Sequence, residues 1–319
     1  MNLQEYLNAS NAPGSLQNVI NTVAGACIDI AYTVSKGALA GILGAADNIN
    51  VQGEDQKKLD VLSNTILKEA LINISEIRAI ASEEEEEAVE GNHAGRYVVA
   101  FDPLDGSSNI DINGQIGTIF TLLPTIEKAD NIEQHFLQKG TQQAAAGYVL
   151  YGPSTVLVLC CQKEVALFTL CPDTKQFVLV EDGISVPTQT TDFSINMSNK
   201  RFWSSSFNAY IDELLAGETG PRGKRFNMRW NGAMVGDVHR VLSQGGIFMY
   251  PNDTKKPDQP AKLRLLYEAN PMALIAQCSG AKACTDKQDI LDVQPTGLHQ
   301  RVAVILGSKE EVEYCLSVL

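Results

Sequence analysis

The chain has 319 residues, a formal net charge of −13 and a hydrophobic fraction of 44%. That length and balance specify a globular protein with room for two packed domains, each with its own core. The acidic surplus excludes nonspecific nucleic-acid binding, which needs a basic surface.

The start, Met1-Asn2-Leu3-Gln4-Glu5-Tyr6, lacks the basic region and apolar core of a signal peptide. The longest apolar stretch, Gly147 to Cys171, is broken by Pro153 and by Gln162-Lys163-Glu164, short of the roughly 18 uninterrupted residues that mark a membrane span. Seven cysteines, with no Cys-x-x-Cys and with Cys160 beside Cys161, fit reduced, buried thiols. A cytoplasmic protein that engages neither membrane nor nucleic acid is expected.

In chain order, Ser15 to Lys36 places Leu16, Val19, Ile20, Val23, Cys27, Ile30, Ala31 and Val34 at helical spacing, which predicts an amphipathic helix. Gly37, Gly41 and Gly44 follow a helix rather than a strand, so they read as a turn or as packing, not as a nucleotide fingerprint. A second helix is expected from about Lys58 to Asn73. Short β-type runs follow at Ile77–Ala81, Tyr97–Phe101, Thr118–Leu123, Gly147–Tyr151, Thr155–Cys160, Val165–Leu170 and Phe177–Val180. The polar segment Glu181 to Gln189, punctuated by Gly183 and Pro187, divides an N-terminal domain (1–185) from a C-terminal one (186–319). Beyond it, helices are expected at Asn208–Leu215, Gly232–Ser243, Pro271–Ser279 and Lys309–Leu316, with strands at Ile247–Tyr250, Leu263–Tyr267 and Val302–Leu306. Strands interleaved with helices in both halves give an α/β class with layered sheets.

The most informative run is Phe101-Asp102-Pro103-Leu104-Asp105-Gly106-Ser107-Ser108-Asn109. An apolar β-type stretch, Tyr97 to Phe101, stops at a carboxylate, and Asp102 and Asp105 flank a backbone-stiffening proline. Two carboxylates and the Leu104 carbonyl suit a hard divalent cation such as Mg²⁺. Gly106, Ser107 and Ser108 supply consecutive N–H groups and two hydroxyls for a phosphate oxygen, with added attraction if a helix starts there. The same pattern in isolation is also a solvated turn. The acidic run Glu83 to Glu87 has two readings as well. As a block it is a solvated loop, yet Glu83 and Glu84 directly follow the β-type Ile77 to Ser82, as Asp102 follows its own run. Neighbouring strand ends in one sheet would bring these carboxylates onto one cation. Asp60, at a helix start, reads as dipole-favoured acid. Glu268 ends the β-type Leu263 to Tyr267. No His-Glu-x-x-His, Gly-x-Ser-x-Gly or P-loop is present.

Over these segments the chain resembles class I fructose-1,6-bisphosphatases, within the larger superfamily of lithium-sensitive, Mg²⁺-dependent sugar phosphatases. The resemblance runs from Lys57-Lys58-Leu59-Asp60-Val61-Leu62-Ser63-Asn64 to Pro295-Thr296-Gly297-Leu298-His299-Gln300-Arg301. Between them it takes in Ser82-Glu83-Glu84, Tyr97 to Asp111, Gly232 to Arg240, Gly245 to Pro251 and Lys262 to Pro271. It implies an α/β/α/β/α sandwich and removal of the 1-phosphate from fructose 1,6-bisphosphate to give fructose 6-phosphate. Glu83, Asp102, Asp105, Glu268 and the Leu104 carbonyl would hold Mg²⁺, with Mn²⁺ or Zn²⁺ able to substitute. Glu84 and Asp60 would activate or orient the attacking water. Asp105, Gly106, Ser107 and Ser108 would grip the phosphate being cleaved. Asn196, Tyr250, Lys262 and Arg264 would bind the sugar and the phosphate that stays. Arg229 matches an arginine donated across a subunit interface, which implies a homotetramer.

The resemblance has departures. Asn199 and Trp230 stand where many members have tyrosines, which opens sedoheptulose 1,7-bisphosphate as a second substrate. In the pocket where members bind AMP, Arg96-Tyr97 survives, but Pro13, Gln17 and Pro124 replace hydroxyl-bearing or arginine positions. Insensitivity to AMP is therefore expected. Two rival readings are an inositol monophosphatase-like enzyme and a catalytically dead sugar-phosphate-binding regulator. The cations Arg229, Lys262 and Arg264 favour a bisphosphate over the first, and the retained carboxylates speak against the second.

Overall fold

The computed structural model describes residues 1–49 and 55–319, and it arranges them in five layers. Helices α1 (Leu3–Ala9), α2 (Gly14–Lys36) and α3 (Lys58–Ile72) cover one face of an eight-stranded sheet. On its other face lie α5 (Met234–Gln244) and α6 (Asn270–Cys278), which also pack on a five-stranded sheet. Helices α4 (Ser205–Leu215) and α7 (Lys309–Val318) close the far side of that second sheet. The α/β/α/β/α order is the expected one.

Each interface follows from side-chain pattern. Val19, Val23, Cys27 and Ile30 line one stripe of α2 and meet Phe101, Leu122 and Leu159 in a single buried cluster. By length and composition α2, with its short continuation to Ala40, would suffice to cross a membrane. Its apolar stripe is instead spent on the sheet, as in a core helix. The stripe ends at Gly37, and Gly37, Gly41 and Gly44 all have positive φ (51°, 69° and 87°), so they serve as turn residues.

The large sheet runs in the order Gln176–Asp182, Glu164–Cys171, Thr155–Cys161, Ala145–Tyr151, Ile116–Pro124, Tyr97–Asp105, Ile77–Ser82 and Val89–Glu90. Its neighbours are antiparallel except for Ile77–Ser82 beside Tyr97–Asp105, which are parallel with Ser82 opposite Phe101. Parallel strands end at the same edge, and this pair carries the next residues, Glu83 and Asp102, to one place. The second sheet is built from Asn227–Met228, Asp192–Ser194, Ile247–Tyr250, Val304–Gly307 and Lys282–Cys284.

Three local expectations are corrected. The strand from Tyr97 continues past Asp102 to Asp105, with an irregularity between those residues in its pairing to Ile116–Pro124. A proline cannot donate to a ladder, and a bulge is where a strand tolerates one. No helix of useful length starts at the phosphate-type segment: Gly106 adopts φ 85° and only a 3₁₀ turn, Ser107–Asn109, follows. The β-type run Leu263 to Tyr267 is a strand only at Leu263–Arg264, where it pairs with Arg301–Val302, and Leu265–Ala269 then wind into a π turn that leads into α6. Such turns recur at functional sites because they redirect one side chain. Here that side chain is Glu268. Helix α1 had no counterpart among the expected elements.

Candidate active site

A cavity of about 300 Å³ opens where the two sheets' edges meet. In its lining, Asp102, Asp105 and Glu268 each place an oxygen within 4.8 Å of the other two. The bulge fixes the first two. Asp102 Oδ1 accepts from the Leu104 N–H at 2.9 Å, and Thr118 Oγ1 donates to the Pro103 carbonyl at 2.9 Å. Asp105 Oδ2 accepts from the Val235 N–H at 2.6 Å, at the N-terminus of α5, whose first amides have no intrahelical partner and favour an anion. Glu268 Oε2 accepts from the Arg264 N–H at 2.6 Å, a bond that the π turn makes geometrically available.

Glu83 follows its strand directly, its N–H bonded to the Phe101 carbonyl at 3.1 Å, and the Arg264 Nη1 stands 2.6 Å from its Oε1. Glu84 lines the cavity and accepts from Gln56 Nε2 at 2.6 Å. Asp60 does not line the cavity. It lies just behind it, buried, with Oδ2 bonded to the Lys57 N–H at 2.8 Å and Oδ1 buried without a hydrogen-bond partner.

So many carboxylates in one buried place resist ionisation. Burial, then the charges of Glu83, Asp105 and Glu268, push Asp102 well above the usual carboxylate range. Burial and the charge of Glu83 push Asp105 up to about 7, against the opposing Val235 hydrogen bond. Burial with Glu83 pushes Glu268 up to about 8, against the pull of Arg264. Burial, with Glu84 and Glu83 adding, brings Asp60 to about 7. A divalent cation among these all-oxygen donors relieves the desolvation and the mutual repulsion together, so the residues fit a metal.

This arrangement has a consequence for the metal-free protein. The unfolded values of Asp105 and Glu268 are 3.8 and 4.5, and the folded values are higher, so the folded state binds the extra protons. Their contribution to stability is full below about pH 4 and is lost as pH rises through about 7 to 8. Metal-free protein should therefore melt at progressively lower temperature between about pH 5 and pH 8, and added Mg²⁺ should lift the upper end of that profile. A melting profile that stays flat, or that Mg²⁺ leaves unchanged, contradicts the acidic cluster as described.

Gly106, Ser107 and Ser108 also line the cavity. The left-handed Gly106 is required twice over, since a Cβ there would meet the Ala233 Cβ at 2.6 Å. Asn109 Nδ2 donates to the carbonyls of Gln115 and Asn231, both at 3.0 Å, and ties this turn to the C-terminal half. Asn196, Trp230, Phe248, Tyr250 and Lys262 line it too, with the Lys262 ammonium 6.0 Å from the centre of the Tyr250 ring, and so does Arg264, which is paired with Glu83 among the acids. Acids and the cations Lys262 and Arg264 thus line a single cavity.

Two residues singled out by sequence lie elsewhere. Arg229 is exposed, its Nη1 on the Met228 carbonyl at 3.2 Å, and it lines a different depression with Arg240 and Gln244. Asn199 is a buried residue of the 3₁₀ turn Met197–Phe202 and does not line the cavity. Sequence reasoning missed the start of α5, whose Met234 and Val235 amides face Asp105. The signal was Gly232-Ala233 ahead of an amphipathic run, but nothing local says which acid those amides meet.

Comparison with known proteins supplies the context. The model of the fructose-1,6-bisphosphatase N-terminal domain matches residues 1–182, and that of the C-terminal domain matches residues 186–319. A class 1 fructose-1,6-bisphosphatase of Saccharophagus degradans is 57% identical over 319 residues, covering 100% of this chain and 99% of that one. One from Shewanella putrefaciens is 55% identical over 315 residues, 99% of this chain and 95% of the relative. Among solved structures, the Leishmania major fructose-1,6-bisphosphatase in holo form superposes with a TM-score of 0.93 at 36% identity, covering 100% of this chain and 98% of that one. Joined to a cavity lined by both acids and cations, these matches over both halves establish that the chain belongs to the class 1 fructose-1,6-bisphosphatase family.

Proposed function

We infer that this protein hydrolyses fructose 1,6-bisphosphate to fructose 6-phosphate and phosphate, with Mg²⁺ as the natural metal and Mn²⁺ or Zn²⁺ able to replace it. The observation that carries the reading is a single cavity lined by the acidic cluster, the phosphate-type turn and the cations Lys262 and Arg264, because a bisphosphate needs groups for the phosphate that leaves and for the one that stays. Asp102, Asp105, Glu268 and Glu83, with the Leu104 carbonyl, would hold the metal. A bound divalent cation supplies charge neutralisation and a lowered pKa for the attacking water. Gly106, Ser107 and Ser108 orient the reacting phosphate through backbone and hydroxyl donors. Glu84 takes the proton from the attacking water, with Asp60 behind it. Lys262, Arg264, Tyr250 and Asn196 bind the sugar and the distal phosphate, the cations by charge-assisted bonds. Trp230 in the cavity lining favours an apolar wall where a tyrosine hydroxyl is common, which keeps sedoheptulose 1,7-bisphosphate as a second substrate. Comparing kcat/KM for fructose 1,6-bisphosphate with that for fructose 1-phosphate tests the bisphosphate reading. A bisphosphate preference of well over tenfold is expected, and equal values contradict it.

Seven free cysteines support placement in a reducing cytoplasm. The exposed Arg229 supports a homotetramer in which each subunit lends this residue to its neighbour. Mixed tetramers of Arg229→Ala and Asp105→Asn chains, each inactive alone, should recover activity, because a wild-type Arg229 then serves an intact acidic cluster. No recovery in proven hybrids contradicts donation in trans.

Inhibition by AMP should be weak or absent. Pro13 caps α2 without a side-chain hydrogen bond, and Gln17 Nε2 is already engaged by the Leu7 and Ala12 carbonyls at 3.2 and 2.9 Å. Pro124 sits opposite Tyr97 in the sheet, where an arginine would add a charge. Each lost charge-assisted bond removes about 1.5–3 kcal/mol, so losing two weakens binding about 10²-fold or more. Titration of AMP into an activity assay checks this, and half-inhibition at low micromolar concentration contradicts it.

A further inference from the structure

Asp237, in the first turn of α5, is a buried acid outside the cavity lining. One of its oxygens joins two segments remote in the chain. Oδ1 accepts from Ser194 Oγ at 2.6 Å and from the Asn231 N–H at 3.0 Å. Ser194 ends the strand Asp192–Ser194 and is followed, one residue on, by Asn196, while Asn231 directly follows Trp230. Asn196 and Trp230 both line the cavity. The two segments run parallel up to the Arg229 N–H, which donates to the Phe193 carbonyl at 2.8 Å, and the Asp237 carboxylate continues the link beyond that bond. The Trp230 ring stacks on Phe248 with 6.4 Å between centres and 2° between planes, and its centre is 6.3 Å from that of Tyr250. Asn231 is gripped on both sides, its N–H by Asp237 and its carbonyl by Asn109 Nδ2 of the phosphate-type turn. Placing the acid here is unfavourable in itself. Oδ2 is buried with no hydrogen-bond partner among the described residues, and burial pushes the carboxyl up to about 6, against the Ser194 and Asn231 bonds.

We propose that Asp237 is a positioning residue for substrate recognition, its carboxylate holding the segments of Trp230 and Asn196 at the spacing that grips fructose 1,6-bisphosphate. The proposal rests on the bisphosphatase reading of the cavity and adds a residue to it. Walls fixed before the substrate arrives lose less freedom on binding and meet it in register. Without the Asp237 acceptor, Asn231 loses its tie to Ser194, and Trp230, one residue earlier, loses its fixed place against Phe248. The metal side has separate supports. Asp105 is held by the Val235 N–H, from another residue of the same helical turn, and Asn109 keeps its bond to the Gln115 carbonyl. Loss of Asp237 therefore weakens substrate binding more than metal binding or phosphate transfer. Asparagine at this position keeps an oxygen for both donors, whereas alanine keeps none.

The test is steady-state kinetics of the full chain with fructose 1,6-bisphosphate and Mg²⁺, comparing wild type, Asp237→Ala and Asp237→Asn. Asp237→Ala should raise KM about tenfold or more, with kcat and the Mg²⁺ concentration for half-maximal activity each changed by less than about threefold. Asp237→Asn should bring KM back near the wild-type value. An alanine variant with wild-type KM overturns the proposal. So does a loss spread equally over KM, kcat and Mg²⁺ requirement, which marks a general folding defect. An asparagine variant as impaired as the alanine one overturns it as well, since the effect then belongs to charge and not to the placed acceptor. Wild-type turnover checks the bisphosphatase reading by itself, so the two failures are distinguishable. If the wild type is inactive or the alanine variant does not fold, hydrogen exchange resolved to single amides of the wild-type protein decides. The Asn231 amide should exchange far more slowly than that of the exposed Lys224, and equal rates overturn the proposal.

Discussion

Replacing Asp105 with asparagine should abolish turnover while making the metal-free protein more stable. Asp105 is one of three acids whose oxygens lie within 4.8 Å of one another, and it also faces the phosphate-type turn that follows it. Substitution of residues that merely orient metal ligands typically costs about 10–100-fold in affinity or activity, so loss of a ligand should exceed about 100-fold. The same carboxyl is strained by burial and by Glu83. An asparagine carbonyl can still accept from the Val235 N–H but carries no charge, so at pH 8 the metal-free variant should melt above metal-free wild type. The opposite signs of the two effects separate a chemical loss from a folding defect. Phosphate release and thermal melts measure both, and a variant that is active, or inactive and less stable, contradicts the assigned role.

Glu84→Gln should bind substrate with near-normal KM and lose about 10²–10⁴-fold in kcat, the usual worth of a positioned general base. Glu84 lines the cavity beside the acidic cluster, held by Gln56 Nε2 at 2.6 Å, and a glutamine keeps its shape but cannot take a proton. The split between KM and kcat is the decisive reading, since loss of a ground-state contact would raise KM instead. Steady-state kinetics with saturating Mg²⁺ checks it. A variant retaining most of its kcat places proton transfer on another group.

Much of the site was legible because its chemistry sits at the ends of strongly patterned strands. Ile77 to Ser82 and Tyr97 to Phe101 are apolar runs that stop at acids, and their parallel pairing brings Glu83 and Asp102 together as that pattern implies. The layers were legible for a similar reason, as in α2, whose stripe of Val19, Val23, Cys27 and Ile30 specifies a face to bury. The rest depended on partners remote in the chain. Leu263 to Tyr267 has β-type residues throughout, yet the Leu265 N–H bonds the Gln300 carbonyl at 2.7 Å and the next residues wind into the turn that aims Glu268. Tertiary contact outweighed local preference. The amides facing Asp105 come from α5, not from the residues after Gly106, and no local pattern names that acceptor. Helix α1 is only seven residues long, held by the Asn2–Glu5 capping box and the burial of Leu3, Tyr6 and Leu7, too short for a periodic signal.

The central claim is that one cavity, lined by an acidic cluster and by Lys262 and Arg264, binds a metal and hydrolyses fructose 1,6-bisphosphate. The most direct measurement is phosphate release from fructose 1,6-bisphosphate by the purified protein, stripped of metal with EDTA and then resupplied with Mg²⁺, with fructose 6-phosphate assayed alongside. Negligible release without metal, restored release with Mg²⁺, and one fructose 6-phosphate formed per phosphate are the expected results. Undiminished release in metal-free buffer, or phosphate set free without fructose 6-phosphate, would contradict the account.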